Sequence, residues 1–300
     1  MHEFKRLSTL LLQVFAKLYP SIKTITEMSK LKILYAASEI NPFLQTSKVA
    51  DFVRRLPQAM QERGMEIRIL VPRFGIINER KNRLHEVVRL SGINISVGDE
   101  EKPLIIKVAS VPNAKMQVYF VDNDDYFQRK SVFVDKNNQF FEDNDERAVF
   151  FCKGVLETVK RLGWAPDIVH CNDWITSLIP MYIKTVYKKD PLFQHTKTVF
   201  TVYNNFYSYK FGDDLIEKVK MNDMDDASLE VLKGADMSAL IKAGMAYADV
   251  VLRTNEDYDE KLQKLFEELE AQNKPIGQIT DEENMPDYHY NLYNELAGEK

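Results

Sequence analysis

The sequence predicts an α/β fold in which a single doubly wound, mostly parallel sheet is flanked by helices. Two observations predict it. Short apolar, β-branched runs alternate along the chain with runs of helical period, the pattern of strands joined by helical crossovers. The first such strand, Lys32-Ile33-Leu34-Tyr35-Ala36-Ala37, also runs through a loop at Ser38 straight into a helical stretch from Ser47 to Arg63. That position, beyond the end of a first strand, is where a Rossmann-like sheet holds a phosphate.

The elements follow in order. The helix from Ser47 ends at Gly64, a residue suited to a helix C-terminus. Glu66 to Pro72 reads as the second strand. Leu84–Val97 and Leu104–Val111 read as a β-rich insert with Gly and Pro between them, and Met116–Val121 as a further strand. Glu142 to Leu162 has helical period and ends at Gly163, with the acids Glu142, Asp143, Asp145 and Glu146 beside Arg147 in a first turn that complements the helix dipole. Asp167–His170 is a short strand. Trp174 to Tyr187 is helical with a kink expected at Pro180. Thr198–Val202 is strongly β-branched, Ala235–Ala248 is a helix, Asp249–Arg253 a strand, and Glu256–Gln272 a charged helix. The division expected is an N-terminal extension at 1–29, one domain at 30–272 and a polar, loosely ordered tail at 273–300.

Composition narrows the function classes. A formal charge of −5 argues against non-specific nucleic-acid binding. Two cysteines, Cys152 and Cys171, make no disulfide framework, which suits a reducing, cytoplasmic setting. No apolar run is long enough for a transmembrane helix. The stretch Leu7–Phe15 after Lys5 and Arg6 is interrupted by Gln13 and reads as an amphipathic extension, and Met28 offers a compact alternative start. Scattered histidines and two cysteines imply no metal site. Asp122, Asp124 and Asp125 lack the spacing of a calcium loop and read as a solvated turn. Cys171, beside His170, reads as a small buried residue at a strand end.

Six stretches in order carry a resemblance. Lys32–Glu39 is a strand with a following acid. Leu44 to Pro57 follows the pattern Lys-Thr-Gly-Gly-Leu-x-Asp-Val with a helix reaching Leu-Pro. Arg68–Phe74, Pro166–Trp174, Thr198–Asn204 and Lys242–Asp249 complete the set. Together they resemble the N-terminal half of the glycogen and starch synthases, over about Lys30 to Leu265. The resemblance implies the first half of a two-domain glycosyltransferase fold that moves glucose from ADP-glucose to an α-1,4-glucan. It implies no cofactor and no metal.

Several positions depart from the family pattern. Gln45 stands at the lysine of the loop that touches the donor diphosphate, and Ser47 and Lys48 stand at its two glycines. Glycine there lets backbone N–H groups approach phosphate, and lysine adds charge. Ile175 stands at a sugar-pocket histidine and Tyr203 at a second histidine near the reacting carbon. A tyrosine titrates near about 10 rather than about 6.5. Thr46, Asp51, Asp173, Trp174 and Asn204 match the family and, with Lys48, are the substrate-binding candidates; no residue stands out as catalytic.

Three functions are weighed. The first is a glucosyltransferase domain, weakly active or inactive alone, completed by a separate synthase C-terminal half or a homologous subunit. The second is a non-catalytic module that binds α-glucan or regulates a synthase, using Tyr203, Phe206, Tyr207, Tyr209 and Phe211 beyond a strand end. The third, a small-molecule binder unrelated to glucans, is disfavoured by the ordered matches.

Overall fold

The structure is a computed structural model that describes residues 30–205, 207–221, 224–254, 257–279 and 283–298. The expected extension at 1–29 and Phe206 lie outside them. The centre of the molecule is β1 (Lys32–Ala37), whose side chains from Ile33 onward are fully buried. On one side it pairs in parallel with β2 (Glu66–Pro72), and on the other with β7 (Ile168–Asn172). The remaining strands are β3 (His85–Glu86), β4 (Ile93–Val97), β5 (Glu100–Ser110), β6 (Gln117–Asp122), β8 (Lys197–Val202), β9 (Val250–Arg253) and β10 (Ile276–Gln278). The sheet runs β10-β9-β8-β7-β1-β2-β6-β5-β3, with β4 paired to β5. All pairings from β10 to β6 are parallel, and the β-rich insert closes that edge antiparallel. This is the mostly parallel α/β sheet expected.

The longer helices are α1 (Lys48–Glu62), α2 (Asn144–Leu162), α3 (Leu178–Lys184), α4 (Met237–Tyr247), α5 (Glu260–Ala271) and α6 (Met285–Ala297). Ser47 caps α1 by accepting from the Val49 N–H. Gly163 closes α2 at φ +59°, a conformation that favours glycine. Helix α4 lies so close to β8 that a Cβ at Gly244 would stand 2.8 Å from the buried Phe200 ring.

Three expectations are corrected. The described part of the tail from 273 is not loose: β10 extends the sheet, and α6 buries Met285, His289 and Tyr293 against α1 and β7. The stretch from Trp174 is not one kinked helix. A 3-10 turn, Trp174–Thr176, precedes α3, and Pro180 sits in the first turn of α3, where a backbone N–H needs no partner. Asp122 is not in a solvated turn. It is 1% exposed and contacts Arg73 at 3.0 Å and Lys107 at 2.9 Å, both of which also reach Glu79. These contacts to Asp122 are ionic rather than aligned hydrogen bonds. In the acidic start of α2, Asp145 is buried against Lys218 at 3.0 Å, and Arg147 is buried among the rings of Phe74, Phe127, Phe133 and Phe141.

Candidate functional site

The strand order reverses at β1, and open α/β sheets place their ligands at such a point, outside the carboxyl ends of β1 and β7. Ala37 and Asn172 are partners at that end. The chain leaves the sheet there as Ser38-Glu39 on one side and Asp173-Trp174 on the other. Sequence logic puts polar residues at this point because the strands' last carbonyls and N–H groups turn away from the ladder.

The loop after β1 is held by its own carboxylates. Glu39 is buried and accepts from the Thr46 N–H at 2.6 Å, the Thr46 hydroxyl at 2.9 Å and the Ser47 hydroxyl at 2.5 Å. Asp51, on α1, accepts from the side-chain amides of Asn41 and Gln45, each at 2.8 Å. Gln45 thus ties the loop to the helix. Lys48 is exposed at the first residue of α1 and is the only cationic residue from Ser38 to Asp51.

Asp173 is buried at φ +79° and ψ 155°, a backbone region that strongly favours glycine. Its carboxylate accepts from the Trp174 N–H at 2.7 Å and the Asn205 side-chain amide at 2.5 Å, and Ser38 bonds it from beyond β1. Burial pushes its carboxyl up to about 6, against those hydrogen bonds and with help from the Glu39 charge. Trp174 is 2% exposed, and its indole N–H finds no partner among the described residues. Ile175 is fully buried, and its carbonyl accepts from the Cys152 thiol at 3.1 Å.

The Tyr203 hydroxyl donates to Asn172 Oδ1 at 3.2 Å, and the Asn172 amide returns to the Ala36 and His170 carbonyls. Asn204 turns outward: its amide donates to the Asp257 carbonyl at 2.6 Å and its Oδ1 accepts from the Asp259 N–H at 3.1 Å, fixing the turn before α5. Behind Tyr203 stands Phe52, edge-on to Tyr203, His170 and His289. Both cysteines are buried, and burial pushes the Cys152 thiol up to about 12. That removes the thiolate a nucleophile would need.

The expected aromatic cluster divides. Tyr203 and Phe211 belong to the core, whereas Tyr207 and Tyr209 are half-buried at the surface. Phe140, from the loop before α2, joins them.

The structure therefore gathers Thr46, Asp51 and Asp173 with Tyr203 at this end of the sheet, sends Asn204 to the turn before α5 and puts Ile175 into the core. Sequence reasoning gave no weight to Glu39 beyond its place after the first strand, and it missed Asn205 and Phe140. Glu39 carried a signal, an acid directly after a buried strand at the phosphate position. Phe140 carried none, because its partners come from 67 and 69 residues away (207 − 140 and 209 − 140). Among the described residues no group of three or more His, Cys, Asp and Glu side chains is arranged to hold a metal ion. No helix among them is long and apolar enough to cross a membrane.

Comparison with known proteins bears on this geometry. The family model described as "Starch synthase catalytic domain" matches residues 32–273. A glycogen synthase of Chlorobium limicola is 38% identical over 232 residues, which is 77% of this chain and 47% of that protein. One from Chlorobium luteolum is 40% identical over 225 residues, 75% of this chain and 45% of that protein. The chain thus spans about half the length of the curated relatives it matches. Among solved structures, the catalytic domain of starch synthase IV from Arabidopsis thaliana, bound to ADP and acarbose, superposes with a TM-score of 0.68 at 18% identity. The match covers 84% of this chain and 51% of that one and supports the fold.

Proposed function

The chain belongs to the starch synthase catalytic domain family, and from that premise we propose that it is the acceptor-side domain of an ADP-glucose-dependent α-glucan synthase, one that holds the glucan and transfers little or no glucose alone. The observation that carries this reading is the lock on the loop after β1. A diphosphate seated there meets the Glu39 carboxylate, which already takes the Thr46 N–H and two hydroxyls. Departure of a diphosphate needs positive charge where negative charge develops. The charged groups at this end of the sheet are the carboxylates of Glu39, Asp51 and Asp173, with Lys48 exposed at the start of α1. A neutral ligand suits such a site better than a diphosphate, because like charges repel.

Transfer then depends on a donor-side domain facing this end of the sheet. The relatives' printed name, glycogen synthase, and the acarbose held by the plant enzyme support an α-glucan as the ligand. A second reading keeps the glucan and drops the transfer: a non-catalytic binding or regulatory module of a synthase. The departures at Gln45, Ser47, Ile175 and Tyr203 favour it.

The test is a transfer assay on the purified chain with ADP-glucose or UDP-glucose as donor and glycogen as primer, run beside co-sedimentation with glycogen. Co-sedimentation without turnover is the expected result. Robust turnover overturns the need for a partner. Neither turnover nor co-sedimentation overturns the glucan reading.

A further inference from the structure

Two loops distant in sequence meet beside the carboxyl ends of β1 and β7. The ring of Phe140 lies 4.9 Å from that of Tyr207 and 4.9 Å from that of Tyr209, at interplanar angles of 36° and 45°. All three are half-buried. Beneath them the buried Trp174 and Phe211 rings lie 5.7 Å and 6.2 Å from Phe140, so the core holds the upper rings in place. The Trp174 N–H, buried and without a partner among the described residues, leaves an open donor under this layer.

Charge decides what such a surface takes. Tyr207 lies in the field of Asp173 and Glu39, and Tyr209 in that of Glu142, Asp145 and Asp143. Lys218, the nearby cation, is engaged by Asp145, Glu146 and Asp214. Arg129, on the loop before α2, pairs with Asp143, and Lys136 and Lys210 are exposed on the two loops. Nucleobases also stack on aromatic platforms, but those platforms carry cations for the phosphates. A neutral polyol whose rings offer an apolar C–H face and a hydroxyl edge fits both the rings and the acids.

We infer that Phe140, Tyr207 and Tyr209 form a stacking platform for successive glucose rings of an α-glucan, which leads the chain toward Asp173. The inference rests on the glucan reading above and assigns its surface. Tyr203, the first residue after β8, is then a packing residue and not part of the platform.

The experiment is native electrophoresis through gels containing glycogen, with titration of maltoheptaose followed by tryptophan fluorescence. Tyr209→Ala is expected to weaken retention and maltoheptaose affinity by roughly tenfold, the scale of one lost stacking face, while Tyr209→Phe stays close to the parent. Phe140→Leu is expected to weaken binding with its thermal midpoint retained, and Tyr290→Ala, an exposed tyrosine on α6, to change nothing. Binding by the parent chain with unchanged affinity in Tyr209→Ala overturns the platform and leaves the glucan reading standing. A parent chain that runs freely through glycogen overturns that reading, and the platform with it.

Discussion

Tyr293, on the last helix, meets His170, at the centre of the sheet, through a buried contact of 2.6 Å between the tyrosine hydroxyl and Nδ1. The same hydroxyl lies 3.1 Å from that of Tyr35, and His170 Nε2 lies 2.7 Å from the Thr201 hydroxyl. Four side chains from β1, β7, β8 and α6 thus share one polar chain in an otherwise apolar layer. A neutral imidazole donates from one nitrogen and accepts at the other, so the chain is satisfied only while α6 is docked.

Removing the Tyr293 hydroxyl is predicted to cost about 1–3 kcal/mol, because it leaves the buried Tyr35 hydroxyl and His170 Nδ1 short of a partner. Urea unfolding of Tyr293→Phe measures it. Tyr35→Phe should couple to it, so the double variant loses less than the sum of the two singles. Strict additivity would mean that the two hydroxyls do not act as one chain.

The same layer predicts acid sensitivity. His289 is buried with its ring stacked on that of His170 at 5.6 Å, faces Phe52, Tyr288 and Tyr293, and bonds the Met285 carbonyl at 2.8 Å through Nδ1. Burial lowers the His289 value to about 4 and takes His170 well below its ordinary value. The unfolded chain therefore binds more protons below about 6.5, and stability falls as pH drops from there toward about 4. For His289 the loss is on the order of 3 kcal/mol. Urea midpoints between pH 8 and 4.5 should fall for the parent chain and fall less steeply for His289→Phe. Equal slopes would remove His289 from the account.

Helix α4 supplies a test of packing. Gly244→Ala places a methyl 2.8 Å from the Phe200 ring, which is 1% exposed and has nowhere to turn. Overpacking of this kind costs about 1–3 kcal/mol, offset only in part by the better helix propensity of alanine. A thermal midpoint below that of the parent is the expected outcome, whereas a rise would mean that α4 and β8 slide apart freely.

Much of this was legible in the sequence, and the exceptions share a cause. The strands from Lys32 to Arg253 announce themselves by β-branched runs, and the family resemblance read from six stretches agrees with a match over residues 32–273. Helix α6 escaped because two of its three buried positions are His289 and Tyr293, at the helical spacing of four but polar by type. They are buried for their hydrogen bonds and ring faces, which hydrophobic periodicity does not register. Asp122 escaped for a like reason. Its partners come from elsewhere in the chain, Arg73 just beyond β2 and Lys107 on β5, so the sequence shows an acid-rich turn where the fold has an ion cluster. The β8 loop was recognised as aromatic, but nothing local separates the buried Tyr203 and Phe211 from the half-buried Tyr207 and Tyr209.

Asp173 sets stability against function within one residue. Its carboxyl is raised to about 6 by burial, so between the unfolded value of about 3.9 and about 6 the folded chain binds the extra proton. Its contribution to stability is present in full below about 3.9 and is lost as pH rises through about 6, leaving a penalty on the order of 2–3 kcal/mol at neutral pH. This slope opposes that of His289 over the same range, and single variants separate them. Asp173→Asn keeps an oxygen to accept from the Trp174 N–H and the Asn205 amide but removes the buried charge. It is predicted to be at least as stable as the parent at pH 7.5, with the advantage vanishing near pH 4. Retention by glycogen should fall, because a carboxylate accepts more strongly from sugar hydroxyls than an amide does. A variant that gains stability and keeps its glycogen retention would show that Asp173 braces the turn and takes no part in holding the glucan. One that loses stability at pH 7.5 would show that the charge strengthens the Ser38, Trp174 and Asn205 hydrogen bonds by more than its burial costs.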